Sequence, residues 1–89
     1  MKRSIVYIYS THCPRCGYVE RTIIDKVRDA FPDSVIEING DTDRAAVKRY
    51  GVKGAPTIIY MENGTEKGRT VNAHWSADKI RQWLAGGET

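Results

Sequence analysis

The sequence predicts a single α/β domain: a mixed four-stranded sheet in the order β-α-β-α-β-β-α, with helices on both faces. Three observations predict it. Apolar, β-branched runs stand at residues 5–9, 35–39 and 57–61, the first without the polar alternation of a half-solvated strand. Val19, Ile23, Val27, Ala30 and Phe31 recur at helical spacing between the first two runs. Asn63-Gly64, after the third run, is a strong hairpin signal for a type I′ turn. Strands one to three alternate with helices, so right-handed crossovers build a parallel pair. The closing hairpin adds antiparallel strands.

Each element follows from local chemistry. Ile5-Val6-Tyr7-Ile8-Tyr9 forms the first strand, and Ser10-Thr11-His12 the loop after it. Pro14 suits the first position of a helix, where its missing N–H has no intrahelical partner. Pro32 stops that helix at Phe31, giving a helix over about 14–31. Residues 35–39 form the second strand, and Gly40-Asp41-Thr42 breaks it and offers N-cap side chains. Ala46, Val47 and Tyr50 give a short second helix its apolar face, and Gly51 caps its end. After the third strand, residues 66–71 return as an edge strand whose Lys67 and Arg69 suit solvent. Ser76 caps a last helix with Ile80, Trp83 and Leu84 facing inward. The core spans about 4–85, with residues 86–89 a frayed tail.

The 89 residues make one domain, 1–89, because two independent cores would not fit. With 40% apolar and 28% charged residues the composition is that of a soluble globular chain. No apolar run approaches the roughly 18 residues of a membrane span, and the run after Met1-Lys2-Arg3 is too short for a signal peptide. The expected compartment is the cytoplasm, with no membrane partner. The net charge of +3 comes from scattered Lys and Arg that mostly alternate with acids. That reads as a solvated surface, not a nucleic-acid footprint.

The two cysteines carry the chemistry. They stand together in Cys13-Pro14-Arg15-Cys16. So short a loop gains little as a structural staple, and intracellular disulfides are usually transient and catalytic. A helix N-terminus carries about half a positive charge and unpaired N–H groups. Cys13, placed there, has its thiolate stabilised and is the exposed nucleophile. Cys16 lies about one turn inward, close enough to bridge. Pro14 stiffens the interval, and Arg15 adds positive charge beside the thiolate. The expected cycle is attack of Cys13 on a substrate disulfide, then attack of Cys16 on Cys13 to leave Cys13–Cys16 oxidised. The pair is also half of a zinc or iron–sulfur site. The other half is missing: the only histidines are His12 and His74, and there is no second cysteine pair. No metal is therefore expected.

Strand, Cys-x-x-Cys and helix, followed by Gly51-Val52-Lys53-Gly54-Ala55-Pro56-Thr57 before a strand, resembles the thioredoxin superfamily over residues 5–84. The resemblance implies a thioredoxin-like fold and a cis Ala55–Pro56 bond beside the cysteines. It also implies a short exposed backbone edge at Ala55 where a substrate peptide pairs. The size, and a proline directly after the first cysteine, are similar to glutaredoxins. Gly54-Ala55-Pro56-Thr57 is similar to thioredoxins, and the Gly-Gly-x-Asp glutathione signature is absent from residues 71–78. His12 stands where thioredoxins carry tryptophan, and Tyr7 where they bury an aspartate. Arg15 departs from the usual middle pair of both branches.

The resemblance implies a protein-disulfide reductase, a monomer with no bound cofactor beyond the redox-active disulfide. Its electron donor would be a thioredoxin-reductase-type flavoenzyme or glutathione. Its acceptors would be disulfide-forming enzymes such as ribonucleotide reductase. A glutathione-dependent glutaredoxin is the alternative, and a metal-binding or docking module without redox turnover is the third. His12 is read either as a tuner of Cys13 or as a solvated loop residue. Tyr7 is read as core packing or as a donor near Cys16. His74 and Trp75 either rim a groove or anchor the last helix.

Overall fold

A computed structural model describes residues 2–72 and 74–87. β1 (Arg3–Tyr9) leads into α1 (14–30), then β2 (Val35–Asn39), α2 (Arg44–Tyr50), β3 (Thr57–Glu62), β4 (Thr65–Val71) and α3 (Ala77–Leu84). The four strands lie in the order β2-β1-β3-β4. β1 and β2 are parallel, in the register Ile5 to Val35, and β3 runs antiparallel to both β1 and β4.

Strand alternation divides the core between the two faces of the sheet. Ile5, Tyr7, Ile58 and Tyr60 face Val19, Ile24 and Val27 of α1 and Ile80 and Trp83 of α3. Val6, Ile8 and Ile59 face the other way, against Tyr50, Val52 and Ile38. β1 and β3 are central and covered on both sides, which is why their sequences lack polar alternation. Tyr60 is stacked between Trp75 and Trp83, each ring centroid 4.1 Å away.

α1 departs from the expected face. Its middle, Glu20–Ile24, is a π-helical turn between the α-helical Pro14–Val19 and Asp25–Ala30. The wider turn carries one extra residue, so Ile23 and Ile24 are both buried. The last helical turn is rotated away from the core, and Ala30 is exposed. Phe31, expected in the core, is only half-buried. It has already left the helix, at φ −136° and ψ 69°.

The cap of α2 also differs. Asp43, not residues 40–42, accepts the Ala46 N–H at 3.0 Å. Gly51 closes this helix in the left-handed conformation, φ 63°. Asn63 and Gly64 both have positive φ, 53° and 83°, as a type I′ turn requires. Ser76 caps α3 by accepting the Lys79 N–H at 3.1 Å.

Arg69 is not simply solvated. It pairs with Glu66 at 2.7 Å and reaches the Tyr50 carbonyl at 2.6 Å, tying β4 to the C-terminus of α2. Nor is the tail frayed from residue 86. The Gly87 N–H bonds the Gln82 carbonyl at 2.8 Å, and Arg3 Nη1 bonds the Gly87 carbonyl at 2.7 Å. Residues 88 and 89 lie outside the described residues. No helix among the described residues is long and apolar enough to cross a membrane.

Candidate redox site

The chain leaves β1 at Tyr9 and turns through Ser10, Thr11 and His12 to the start of α1. Asp41, expected to help cap α2, instead braces this turn. Its carboxylate accepts from Thr11 Oγ1 at 2.6 Å, Thr11 N–H at 2.8 Å and Ser10 Oγ at 2.9 Å. Those bonds, the Thr11 hydroxyl first, hold the Asp41 carboxyl below its usual range. His12 is exposed, and its N–H donates to Ser10 Oγ at 3.1 Å.

Cys13 is the N-cap of α1, with Pro14 in the first turn. Its Sγ accepts the Cys16 N–H at 3.2 Å, one of the donors a helix start leaves unpaired. Cys13 and Cys16 are joined by a disulfide, with Cα atoms 5.4 Å apart. Cys13 is half-buried, whereas Cys16 is 2% exposed. The pair thus offers one sulfur outward and keeps the other in the core.

Arg15 and the proline loop, which the sequence also singles out, are linked through Asn72 in the loop after β4. The Ala55–Pro56 peptide bond is cis. Pro56 is buried and Ala55 half-buried. The Pro56 carbonyl accepts the Asn72 N–H at 2.9 Å. Arg15 is exposed, donates from Nε to the Asn72 carbonyl at 3.0 Å and lies over the Tyr18 ring. A groove of about 460 Å³ runs from Arg15 and Tyr18 past Lys26 to His74 and Trp75. A second, of about 280 Å³, lies on the opposite side, between Tyr9, Gly40, Lys53 and Ala55. His74 and Trp75 therefore rim a groove, and Trp75 also anchors the loop through its stack on Tyr60.

Tyr7 both packs and bonds. It is fully buried and stacks on Tyr9 at 5.7 Å. Its hydroxyl lies 3.2 Å from the Cys16 carbonyl and 3.1 Å from Glu20 Oε2. Burial, and then the Glu20 charge, push its phenol well above the usual tyrosine range. The sequence alone does not single out Glu20. Its one signal is the i+4 spacing from Cys16, which stacks the two on one helical face. Among the described residues, no group of three or more His, Cys, Asp or Glu side chains is placed to hold a metal ion.

The thioredoxin family model matches residues 1–86. The chain belongs to the thioredoxin family. Its bonded Cys13–Cys16 pair places this thioredoxin-family domain among thiol–disulfide oxidoreductases. Solved structures agree on the fold. Thioredoxin-2 of the malaria parasite is similar at TM-score 0.79 and 19% identity, covering 94% of this chain and 82% of that one. Thioredoxin of Fasciola hepatica is similar at TM-score 0.79 and 18% identity, covering 98% and 82%. Trxlp from Edwardsiella tarda EIB202 is similar at TM-score 0.72 and 26% identity, covering 93% and 82%.

Proposed function

We propose that this thioredoxin-family domain reduces protein disulfides by dithiol exchange, with Cys13 as nucleophile and Cys16 as resolving thiol. One observation carries the reading. The Cys13 sulfur sits at the N-terminus of α1 with the Cys16 N–H aimed at it from 3.2 Å, and Cys16 is buried behind it. The donor N–H and the helix dipole both favour negative charge on Cys13.

In the reduced form, the Cys13 thiolate attacks a substrate disulfide and forms a mixed disulfide, releasing one substrate thiolate. Cys16 then attacks the Cys13 sulfur. The Cys13–Cys16 bond forms, the bond to substrate breaks, and two electrons have passed from the protein to the substrate. The substrate chain would lie along Ala55, beside the cis Pro56, by main-chain pairing. Pro14 stiffens the cysteine interval, and Arg15 and His12 border the approach to Cys13. Acceptors would be cytoplasmic enzymes that form a disulfide at each turnover, of the ribonucleotide reductase kind.

A flavoenzyme of the thioredoxin-reductase type is the donor favoured by Gly54-Ala55-Pro56-Thr57. Glutathione is the second reading, and the groove lined by Arg15, Lys26, His74 and Arg81 against one acid, Asp78, supports it, being basic and reached by Arg15 of the cysteine motif. The test is equilibration with graded glutathione buffers, followed by thiol trapping and mass measurement. A strongly reducing couple supports the flavoenzyme-fed reductant. A milder couple with a glutathione adduct on Cys13 moves the reading to a glutaredoxin-type enzyme. If no disulfide forms at any ratio, or if Cys13→Ser keeps full reductase activity, the exchange reading fails.

A further inference from the structure

Dithiol exchange itself makes no use of the groove of about 460 Å³ along α1. Arg15, Tyr18 and Lys26 line one wall. At spacings of i, i+3 and i+11 they share one helical face. The loop before α3 and the first turns of that helix supply the other wall, with Trp75, Asp78 and Arg81.

The charge of this groove is uneven. Asp78, its one acid, is already paired with Arg81. Among the described residues no carboxylate is ion-paired with Arg15 or Lys26. Lys79 adds a further cation, its Nζ 5.6 Å from the Trp75 ring centroid. Unpaired cations on one concave surface focus a positive field on whatever enters it. Tyr18, on the same wall as Arg15 and Lys26, leaves 53% of its surface exposed.

Both walls are held in place before any ligand arrives. Arg15 Nε bonds the Asn72 carbonyl at 3.0 Å, and its two Nη groups have no hydrogen-bond partner among the described residues. Trp75 is stacked on Tyr60 at 4.1 Å. A ligand therefore meets an ordered surface and loses less entropy in binding it.

Length decides between a small anion and a chain. Lys26 comes eleven residues after Arg15, which is about 16 Å along the helix at ~1.5 Å per residue. An extended chain covers ~3.4 Å per residue, so the two cations match carboxylates about five residues apart. A tripeptide such as glutathione spans about 10 Å and falls short of that distance. The groove also continues from the proline loop. Asn72 accepts from Arg15 and donates to the Pro56 carbonyl, so a chain leaving the Ala55 edge meets Arg15 next.

We propose that this groove takes an acidic, extended segment flanking the target disulfide of the protein substrate; this rests on the dithiol-exchange reading and names its substrate class. Carboxylates of the segment pair with Arg15 and Lys26, and the side chains between them lie against Tyr18 and Trp75. Arg15 and Lys26 are specificity residues here. The electrons still pass from the Cys13–Cys16 dithiol to the substrate disulfide.

The experiment compares two synthetic peptides that share one intramolecular disulfide. One carries a flank of about five residues rich in glutamate, placed in turn on either side of the disulfide. The other has glutamine at the same positions. Each is mixed with reduced protein, and thiol trapping gives the second-order rate constant for its reduction. The glutamate peptide is expected to react about tenfold faster at low salt. It should lose most of that advantage at about 1 M salt, where the screening length falls to about 3 Å. Lys26→Gln, which removes one of the two cations, is expected to cut the ratio of the two rates to about threefold. Lys48→Gln removes the same charge from α2, on the other face of the sheet, and should leave the ratio unchanged. Equal rates for the two peptides, or equal losses in Lys26→Gln and Lys48→Gln, overturn the assignment. So does reduction of glutathione disulfide that depends on Lys26 when the peptide ratio does not, which makes the groove a glutathione site. If the unsubstituted protein reduces neither peptide, it is the dithiol reading that fails.

Discussion

Arg15 Nε donates to the Asn72 carbonyl at 3.0 Å, and the Asn72 N–H donates in turn to the Pro56 carbonyl at 2.9 Å. Two hydrogen bonds thus join the cysteine segment, the loop after β4 and the proline loop. The position of Arg15 follows from this: its guanidinium is held between the Asn72 carbonyl and the Tyr18 ring instead of sweeping through solvent.

Arg15→Ala removes a positive charge that favours the Cys13 thiolate, so the couple is expected to become more reducing. The guanidinium is exposed and screened by water. The effect should be about 0.5–1 kcal/mol, or roughly 10–20 mV at ~30 mV per 1.4 kcal/mol. Glutathione-buffer equilibration measures it. A shift under about 10 mV removes Arg15 from redox poise and leaves it a loop tie.

Tyr60→Phe is expected to stabilise the protein. The Tyr60 hydroxyl is buried with no hydrogen-bond partner among the described residues, and burial pushes its phenol up to about 12. Phenylalanine keeps the ring between Trp75 and Trp83 and removes the orphaned group, a gain of about 1 kcal/mol. The folded phenol titrates above its ordinary value of 10.0. Its contribution is therefore complete below pH 10.0 and lost as pH rises through about 12. Urea midpoints at neutral and alkaline pH should diverge further in favour of Tyr60→Phe as pH rises.

Asp41→Asn addresses the brace on the cysteine loop. Asp41 is held below its ordinary value of 3.8 by the Thr11 and Ser10 donors. Its stabilisation is therefore present above pH 3.8 and lost as pH falls through the lowered folded value. Thermal midpoints of the two proteins should differ at pH 7 and converge in acid. Equal midpoints at both pH values would show that the brace does not contribute to stability.

Arg3→Ala should destabilise the fold without touching the redox site. Arg3 pairs with Glu62 at 2.7 Å and bonds the Trp83 and Gly87 carbonyls at 2.6 and 2.7 Å. Its guanidinium also lies 4.7 Å from the Trp83 ring centroid. Alanine leaves the half-buried Glu62 carboxylate and the Gly87 carbonyl without this donor, while the Trp83 carbonyl keeps only the Gly86 N–H at 3.0 Å; the cost is about 2 kcal/mol, lowering Tm by roughly 8–16 °C. A change under about 2 °C would place this network among surface pairs of little consequence.

Much of the site is legible in the chain's own residues because it is local. Cys13, Pro14 and Cys16 lie within one turn, so their relation follows from helix geometry. Gly51, Asn63-Gly64 and Ser76 act through their own backbone or the next turn, and each does what its residue type implies. The two-faced burial of β1 and β3 is written in their unbroken apolar runs.

What the tertiary structure decided is long-range. Asp41 could serve one turn or another; it braces the cysteine loop because β2 lies parallel beside β1 and brings the two strand ends together. Glu20 is one of three acids on α1 until Tyr7, arriving from β1, bonds both its carboxylate and the Cys16 carbonyl. The π-helical turn that buries both Ile23 and Ile24 answers the packing of α1 on the sheet, and periodicity alone assigns only one of them inward. By itself, the sequence determined what local backbone preference and spacing dictate: the order of the elements, the caps at Gly51 and Ser76 and the cysteine pair. The partners of Tyr7, Asp41 and Arg15 come from distant segments, and only the packed fold chooses among the donors and acceptors each could reach.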